Sequence, residues 1–318
     1  MTTGTTPTAA TLKGTSTVRA RCGGALATLA LVLGVLTGVV PGSSAGATGP
    51  PPLTGITQIT SGAMHSCALL NSGSVRCWGD NGFGQLGNGT TRDASVPLAV
   101  AGITNAVAID SASTSLSTCA VLATGGVRCW GRNHHGQLGN GTTTDSTTPV
   151  AVSNITGATS IAAGQDHTCV ALSNGEARCW GWNNRGQLGN GTTTDTLVPA
   201  TVTGLTGAAA VSAGGGHTCA ALTDQSVRCW GSNAWGALGN GSSATDSKVP
   251  VMVSGISTAT AISSGFAHTC ATLTSGGVRC WGQNIDGQLG DGTTTDSTTP
   301  VAVSNITNAT SVSGGYQH

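Results

Sequence analysis

The chain has 318 residues and a formal net charge of zero; 8% of its residues are charged, 3% are aromatic and 50 are glycines. The low charge content excludes a disordered, solvating chain, because such chains are rich in charge. With so few aromatic side chains, we expect a core built mainly from Val, Leu, Ile and Ala.

The first 47 residues have the pattern of a secretory signal peptide. Lys13, Arg19 and Arg21 precede an apolar run at residues 25–40, and Ala45-Gly46-Ala47 follows it. Basic, apolar and small-residue regions in this order predict export and cleavage after residue 47. The alternative is a membrane anchor, but this run is shorter than the roughly 20 residues that a span needs.

Removal of this segment would leave nine basic and twelve acidic residues, a net charge of −3. Nucleic-acid binding needs a basic surface, so we expect no nucleic acid among the partners. The predicted domains are a signal peptide at 1–47, a short linker at 48–53 and a repeat domain at 54–318. The mature chain is predicted to have no membrane span and to be secreted or held in the cell envelope.

The rest of the chain is one unit repeated. Each repeat carries a tryptophan between Arg-Cys and Gly, at Trp78, Trp130, Trp180, Trp230 and Trp281. A period near 50 residues predicts a repeat architecture before any local structure is assigned.

Each repeat is predicted to form four short strands. In the first repeat they are Ile56 to Thr60, His65 to Leu70, Ser74 to Trp78, and a fourth strand that begins at Pro97. Four strands per repeat are typical of a propeller blade, and so small a sheet must bury its faces against its neighbours. The predicted fold class is therefore all-β, a β-propeller of four-stranded blades.

The segment after each tryptophan is the most specific motif. The stretch from Trp78 to Gly89 follows W-G-x-N-x-x-G-Q-L-G-x-G, and G-x-x-H precedes the second strand. The histidines of the second motif are His65, His167, His217, His268 and His318. Both motifs resemble the repeat of the regulator of chromosome condensation family. Three positions depart from it, since Ala237 replaces Gln, Asp291 replaces Asn and Ser117 replaces His.

The resemblance implies a seven-bladed propeller, of which about five and a half blades are present. A kelch propeller has a similar period, but its glycine doublets and tyrosine are absent. The sixth unit stops at His318, at the start of its second strand, so we expect the protein to continue beyond this residue. The family includes a nuclear guanine-nucleotide exchange factor that also binds chromatin, and secreted bacterial members that include a β-lactamase inhibitor. Function must therefore be inferred from the surface.

Ten cysteines form pairs ten residues apart, and Cys22 would leave with the signal peptide. The pairs are Cys67 with Cys77, Cys119 with Cys129, Cys169 with Cys179, Cys219 with Cys229, and Cys270 with Cys280. Each pair straddles a hairpin whose three-residue turn places the two cysteines opposite each other, near disulfide range. Zinc sites favour closer spacing, and buried thiols are the other alternative. In an exported chain the pattern favours five disulfides.

Other recurring polar residues are open to two interpretations. The histidines could form a metal ring, but one per blade favours a structural hydrogen bond. One Arg and one Asp per blade, such as Arg76 and Asp93, are either a repeated ion pair or two solvated charges. No catalytic motif is present, so we expect neither an enzyme nor a cofactor or metal.

Positions that vary between repeats indicate the binding surface. They lie after Trp-Gly and in the G-x-x-H turn, and alternating strand directions bring both segments to the same end of every blade. Aromatic residues and Arg at such positions are favoured in binding hot spots. The candidate binding residues are Phe83, His134, His135, Trp182, Arg185, Trp235, Phe266 and Ile285. They predict a protein-binding scaffold; the alternatives are an exchange factor for a small GTPase and a carbohydrate-binding module of the cell envelope.

Overall fold

The computed structural model of the chain describes residues 52–318. The predicted signal peptide, and residues 48–51 of the predicted linker, lie outside them. Within residues 52–318, no helix is long and apolar enough to cross a membrane.

The described chain forms five four-stranded antiparallel sheets, which we call blades 1 to 5. Blade 1 contains β1 (Ile56–Ser61), β2 (His65–Leu70), β3 (Val75–Gly79) and β4 (Ala94–Ala99). Blade 2 contains β5 (Ala106–Asp110), β6 (Ser117–Leu122), β7 (Val127–Gly131) and β8 (Ser146–Ala151). Blade 3 contains β9 (Ala158–Ala163), β10 (His167–Leu172), β11 (Ala177–Gly181) and β12 (Thr196–Thr201). Blade 4 contains β13 (Ala208–Ala213), β14 (His217–Leu222), β15 (Val227–Gly231) and β16 (Ser247–Met252). Blade 5 contains β17 (Ala259–Ser264), β18 (His268–Leu273), β19 (Val278–Gly282) and β20 (Ser297–Ala302).

The strands of each blade follow chain order, and the first strands of successive blades contact one another. The apolar core lies between blades because each sheet is too small to enclose one. One cluster joins Cys67, Leu69 and Leu86 of blade 1 to Ile109 and Trp130 of blade 2. The predicted all-β fold with four-stranded propeller blades is confirmed.

The second and third strands of each blade form a hairpin in the predicted register. Cys67 lies opposite Cys77 in blade 1, their Cα atoms are 4.1 Å apart, and a disulfide joins them. Gly73 closes the turn with a φ of +78°, as a left-handed third turn residue requires. The register predicted from the spacing therefore places the two sulfur atoms within bonding distance.

The same disulfide braces the other four blades. The bonded pairs are Cys119 with Cys129 in blade 2, Cys169 with Cys179 in blade 3, Cys219 with Cys229 in blade 4, and Cys270 with Cys280 in blade 5. In each pair the two cysteines are directly opposed across the hairpin, with Cα atoms 4.0 or 4.1 Å apart. All five predicted disulfides are thus confirmed. Their cysteines lie in the apolar clusters between blades, where the disulfides brace the hairpins.

The fourth strand of blade 1 differs from its prediction. It begins at Ala94 rather than at Pro97, and the third strand is shifted by one residue to Val75–Gly79. Pro97 lies inside the strand, where the register between β3 and β4 is irregular. An outer edge strand tolerates this proline, because an amide on its open side has no partner strand to bond.

Candidate functional site

The loops between the third and fourth strands are held by a repeated asparagine. In blade 1 the Asn81 side chain donates to the carbonyl oxygens of Thr90 and Arg92 at 2.9 and 3.0 Å. Its Oδ1 accepts the Leu86 N–H at 2.9 Å. The Asp93 carboxylate accepts the Asn81 backbone N–H at 2.9 Å. The equivalent aspartates of the other blades accept the same bond, so they brace the loop, and the repeated Arg–Asp ion pair is not formed within residues 52–318.

A repeated glutamine, buried in blades 1 to 3 and half-buried in blade 5, sets the backbone of the variable residues in four blades. Its Oε1 accepts the backbone N–H of Phe83, His135, Arg185 or Asp286 at 2.9 Å. In blade 4 the glutamine is replaced by Ala237, whose side chain has no oxygen that could accept the backbone N–H of Trp235. There the loop forms a single 3₁₀ turn, Ala234–Gly236, and Trp235 adopts a φ of +57°. The substitution thus gives blade 4 a different loop.

The recurring histidines connect neighbouring blades. His65 Nε2 lies 2.7 Å from Thr118 Oγ1, and His167 repeats the contact with Thr218 at 2.8 Å. The threonine donates to a glutamine carbonyl of the preceding blade, which also accepts an indole N–H: Trp130 donates to Gln85 at 2.9 Å. Burial lowers the pKa of His65 and His167 to about 4, so both rings are neutral at physiological pH. The predicted structural hydrogen bond is confirmed for His65, His167 and His217.

The variable residues lie where the first-to-second-strand turns meet the loops after the third strands, which we call the loop face. Phe83, His134 and His135 form one part of it. The rings of Phe83 and His134 are 5.9 Å apart, edge to face. His135 lies 5.7 Å from the Trp182 ring, and its Nδ1 is 3.0 Å from Asp195. These contacts connect the loops of blades 1, 2 and 3.

Trp182, Arg185, Trp235 and Phe266 form the second part. They line a pocket of about 140 Å³ together with Gly215 and Gly216, Gln165, Ser232 and Ala237. Trp235 is 44% exposed. Arg185 pairs with Asp246 at 3.3 Å on the rim. The structure therefore brings together four of the eight predicted residues, contributed by blades 3, 4 and 5.

Ile285 lies on the same end of blade 5 and is 65% exposed, but it does not line this pocket. Sequence reasoning did not select Tyr316, whose ring packs on Phe266 with centroids 4.7 Å apart. Arg132 and Asp166, which pair at 3.3 Å, were recognised as variable positions but were not selected as binding residues. Burial raises the pKa of Asp166, an effect that the Arg132 guanidinium opposes. A signal for Asp166 was present, because it stands in the variable G-x-x-H turn.

Comparison with known sequences identifies relatives over part of the chain. The chain is 38% identical over 115 residues to the human E3 ubiquitin-protein ligase HERC2, a match that covers 36% of this chain and 2% of HERC2. It is 38% identical over 116 residues to the Arabidopsis thaliana ultraviolet-B receptor UVR8, which covers 35% of this chain and 26% of UVR8. The matched regions thus span about a quarter or less of these relatives.

Solved structures share the fold. Human WBSCR16 superposes with a TM-score of 0.74 and 23% identity over 82% of this chain and 70% of that one. Yeast RCC1 (Prp20), solved with Kap60 bound, superposes with a TM-score of 0.72 and 22% identity over 82% and 66%.

A sequence model described as the RCC1-like domain matches residues 56–318, from the first strand of blade 1 to the last residue. This match includes all five blades and the predicted motifs after each tryptophan. The chain belongs to the RCC1-like domain family.

Proposed function

We propose that this protein is an exported, disulfide-braced propeller that binds another protein through its loop face and catalyses no reaction. The observation that carries the proposal is the pocket formed by Trp182, Arg185, Trp235 and Phe266. Trp and Arg are enriched in binding hot spots, where each can contribute about 2 kcal/mol or more. These residues stand on a scaffold whose own contacts are repeated from blade to blade.

The extent of the loop face favours a macromolecular partner. Contacts continue from Phe83 in blade 1 through His134 and His135 to Trp182, and then through the pocket to Phe266. A surface that crosses five blades exceeds what a single sugar ring would cover. A protein can contact both parts of the loop face at once, which supports a protein over a small ligand.

The exchange-factor alternative rests on the family. Yeast Prp20 is described with its binding to Gsp1p and histones, at 20% identity to this chain, a level at which only the fold is shared. Exchange on a GTPase requires a cytosolic partner, so an exported product would exclude it.

The carbohydrate alternative predicts that the protein is retained on isolated cell wall and that free sugar releases it.

The test is capture of partners by the purified chain with its disulfides formed. We expect Trp182→Ala, Arg185→Ala and Trp235→Ala together to abolish binding of the partner that the wild type captures. The melting temperature should change little because these side chains are on the surface. Partners are identified by mass spectrometry, and binding is then measured with the purified partner.

A matched control replaces exposed apolar residues elsewhere in the same blades. Val198, Val249 and Met252 lie on the outer strands and are exposed. Their triple alanine variant should retain the partner. Equal binding by both triple variants, or unfolding of the loop-face variant, would show that the assignment is wrong.

A further inference from the structure

The pocket reaches the junction of blades 4 and 5, where two alanines stand in place of a buried polar pair. At the junction of blades 2 and 3, Gln137 Nε2 donates to Asp166 Oδ1 at 3.0 Å, and both side chains are buried. The equivalent positions of blades 4 and 5 carry Ala237 and Ala267, and both alanines line the pocket. Two small apolar side chains thus replace two larger polar ones, which leaves an apolar space between these blades.

The same replacement changes the loop beside the pocket. In the other blades the glutamine side chain accepts the backbone N–H two residues earlier, as Gln187 does from Arg185 at 2.9 Å. Ala237 cannot accept this bond, and Trp235 adopts a φ of +57°, in the left-handed region that non-glycine residues rarely occupy. Strained residues of this kind cluster at ligand-binding sites. The outlier therefore indicates a role for the exposed Trp235 ring at the pocket.

Three aromatic rings line the pocket, those of Trp182, Trp235 and Phe266, and two of them are held in place by further contacts. The Trp182 ring packs against His135, with centroids 5.7 Å apart, and the Phe266 ring packs against Tyr316 at 4.7 Å. Rings that are already held lose little conformational freedom when a ligand binds, so less of the binding free energy is lost to ordering them.

The charge and the size of the pocket favour a neutral ring as its occupant. Arg185 contributes its only permanent charge among residues 52–318, and the guanidinium is paired with Asp246 at 3.3 Å. Neither an anion nor a cation would therefore find an unpaired opposite charge in the pocket. Its volume is about 140 Å³. An apolar cavity of about 150 Å³ holds one benzene molecule, so the space suits a single phenyl ring.

The pocket is continuous with the rest of the loop face, which favours a side chain of a protein over a free small molecule. Trp182 lines the pocket and also contacts His135 in the other part of the loop face. A partner that inserts one ring into the pocket can thus contact the neighbouring loops at the same time.

We infer that this pocket binds the ring of a phenylalanine side chain of the partner protein, which packs among Trp182, Trp235 and Phe266 and covers Ala237 and Ala267. Aromatic pairs at centroid distances of about 4.5–7 Å are favourable beyond the area that they bury. The inference deepens the proposed protein-binding function and rests on it for its biological role. Its chemistry can be tested without the partner.

The test titrates the isotope-labelled full chain, with its disulfides formed, with three capped peptides. They are acetyl-Gly-Phe-Gly-amide, the same peptide with cyclohexylalanine in place of phenylalanine, and acetyl-Gly-Lys-Gly-amide. Cyclohexylalanine is similar in size to phenylalanine but is not aromatic, and lysine presents a cation to the rings. The indole N–H resonances of Trp182 and Trp235 report binding. We expect the phenylalanine peptide to bind at least about three-fold more tightly than either of the others.

Ala237→Gln together with Ala267→Asp is the decisive variant because it rebuilds the buried pair of Gln137 and Asp166 inside the pocket. Another junction of the same chain accommodates this pair, so the variant should fold. We expect its affinity for the phenylalanine peptide to fall about ten-fold or more, because polar side chains fill the space that the ring would occupy.

Two single variants accompany it. Ala237→Gln alone should also weaken binding, and Gln187, whose Nε2 has no partner among residues 52–318, shows that a blade tolerates this glutamine without the carboxylate. The matched control is Ala244→Gln, which makes the same change in an exposed loop of blade 4 that does not line the pocket. The control should bind the phenylalanine peptide within two-fold of the wild type.

Equal binding of the phenylalanine and cyclohexylalanine peptides would overturn the inference, as would tighter binding of the lysine peptide, which would assign a cation to the pocket. Unchanged indole resonances at about 10 mM phenylalanine peptide, where even a millimolar site would be mostly occupied, would also overturn it. Full binding by the double variant, or an equal loss in Ala244→Gln, would have the same consequence. None of these results affects the loop-face proposal, which depends on partner capture by the alanine variant.

Discussion

Individual departures from the repeat are more informative here than the repeated residues. Near the end of the first strand of blades 4 and 5, a serine side chain accepts a backbone N–H from the residues that follow in the next repeat. Ser212 Oγ accepts the Ser264 N–H at 2.8 Å, and Ser263 Oγ accepts the Gly314 N–H at 2.9 Å. Blade 2 has Asp110 at this position, and its Oδ2 accepts the Ala163 N–H at 2.8 Å. A carboxylate thus performs a role for which a neutral hydroxyl is sufficient.

We predict that Asp110→Ser stabilises the protein at neutral pH. Burial raises the pKa of Asp110 from 3.8 to about 6. The folded state therefore holds this proton more tightly, and the contribution of Asp110 to stability falls as the pH rises from about 4 to 6. A shift of this size corresponds to about 3 kcal/mol. Because the side chain keeps some contact with water, we expect a gain of about 1–2 kcal/mol at pH 8 and none below pH 4.

Urea unfolding of the wild type and of Asp110→Ser across pH 3.5–8.5 measures the difference in their free energies of unfolding. Effects that both proteins share, such as protonation of the buried histidines, cancel in this difference. The reverse change, Ser212→Asp, should destabilise blade 4 at pH 8 and have little effect near pH 4. A pH-independent difference for Asp110→Ser would contradict the assignment of its raised pKa.

At the scale of the structural element, a glycine follows the repeated leucine of each blade, and in blades 1 to 4 the indole of the next blade packs against it. Gly139 has a φ of +67°, and a Cβ there would lie 2.6 Å from Trp180 Nε1. Gly204 has nearly the same φ, +68°, but a Cβ there would meet nothing within 4 Å. The two positions separate the cost of backbone strain from the cost of displacing the indole.

We predict that Gly139→Ala destabilises the protein more than Gly204→Ala. Both variants place a side chain in the left-handed region, which costs about 1 kcal/mol. Only Gly139→Ala also crowds a buried indole, which costs a further amount of about 1–3 kcal/mol. The midpoints of urea unfolding measure both losses. Equal losses would mean that the glycine serves backbone conformation alone.

The strands and their pairing were predictable from the sequence where the spacing of residues along the chain alone determines them. The ten-residue spacing and the turn ending at Gly73 gave the correct hairpin register, because opposed positions follow from counting. Pro97 was misleading because an edge strand accepts proline inside it. The blade 4 pocket was not predictable as a cavity. It is lined by Gly216, Ala237 and Phe266, which lie on three separate segments of blades 4 and 5 and meet only when the two blades pack together.

At the scale of the whole molecule, stability comes from junctions between blades and from the cross-link inside each one. The disulfides lie in the apolar cores, where Cys67 and Cys77 are completely buried. A loop of about ten residues closed by a disulfide contributes roughly 3 kcal/mol in the chain-entropy model. Five such contributions would make the fold depend on an oxidising compartment. The proposed export and the stability of the protein are therefore linked, and the location of the protein can be tested through its disulfides.

We predict that the exported protein begins at Thr48, after the Ala45-Gly46-Ala47 site, and contains five disulfides within blades and no free thiol. Amino-terminal sequencing of the product identifies its first residue, and non-reduced peptide mapping identifies its disulfides and any free thiol. Leu31→Arg together with Leu33→Arg should interrupt the apolar run and keep the chain in the cytosol. The retained chain should have reduced cysteines and a lower melting temperature than the exported protein. A wild-type product that keeps Met1 and free thiols in the cytosol would contradict export and would favour the exchange-factor alternative, because a GTPase would then be within reach.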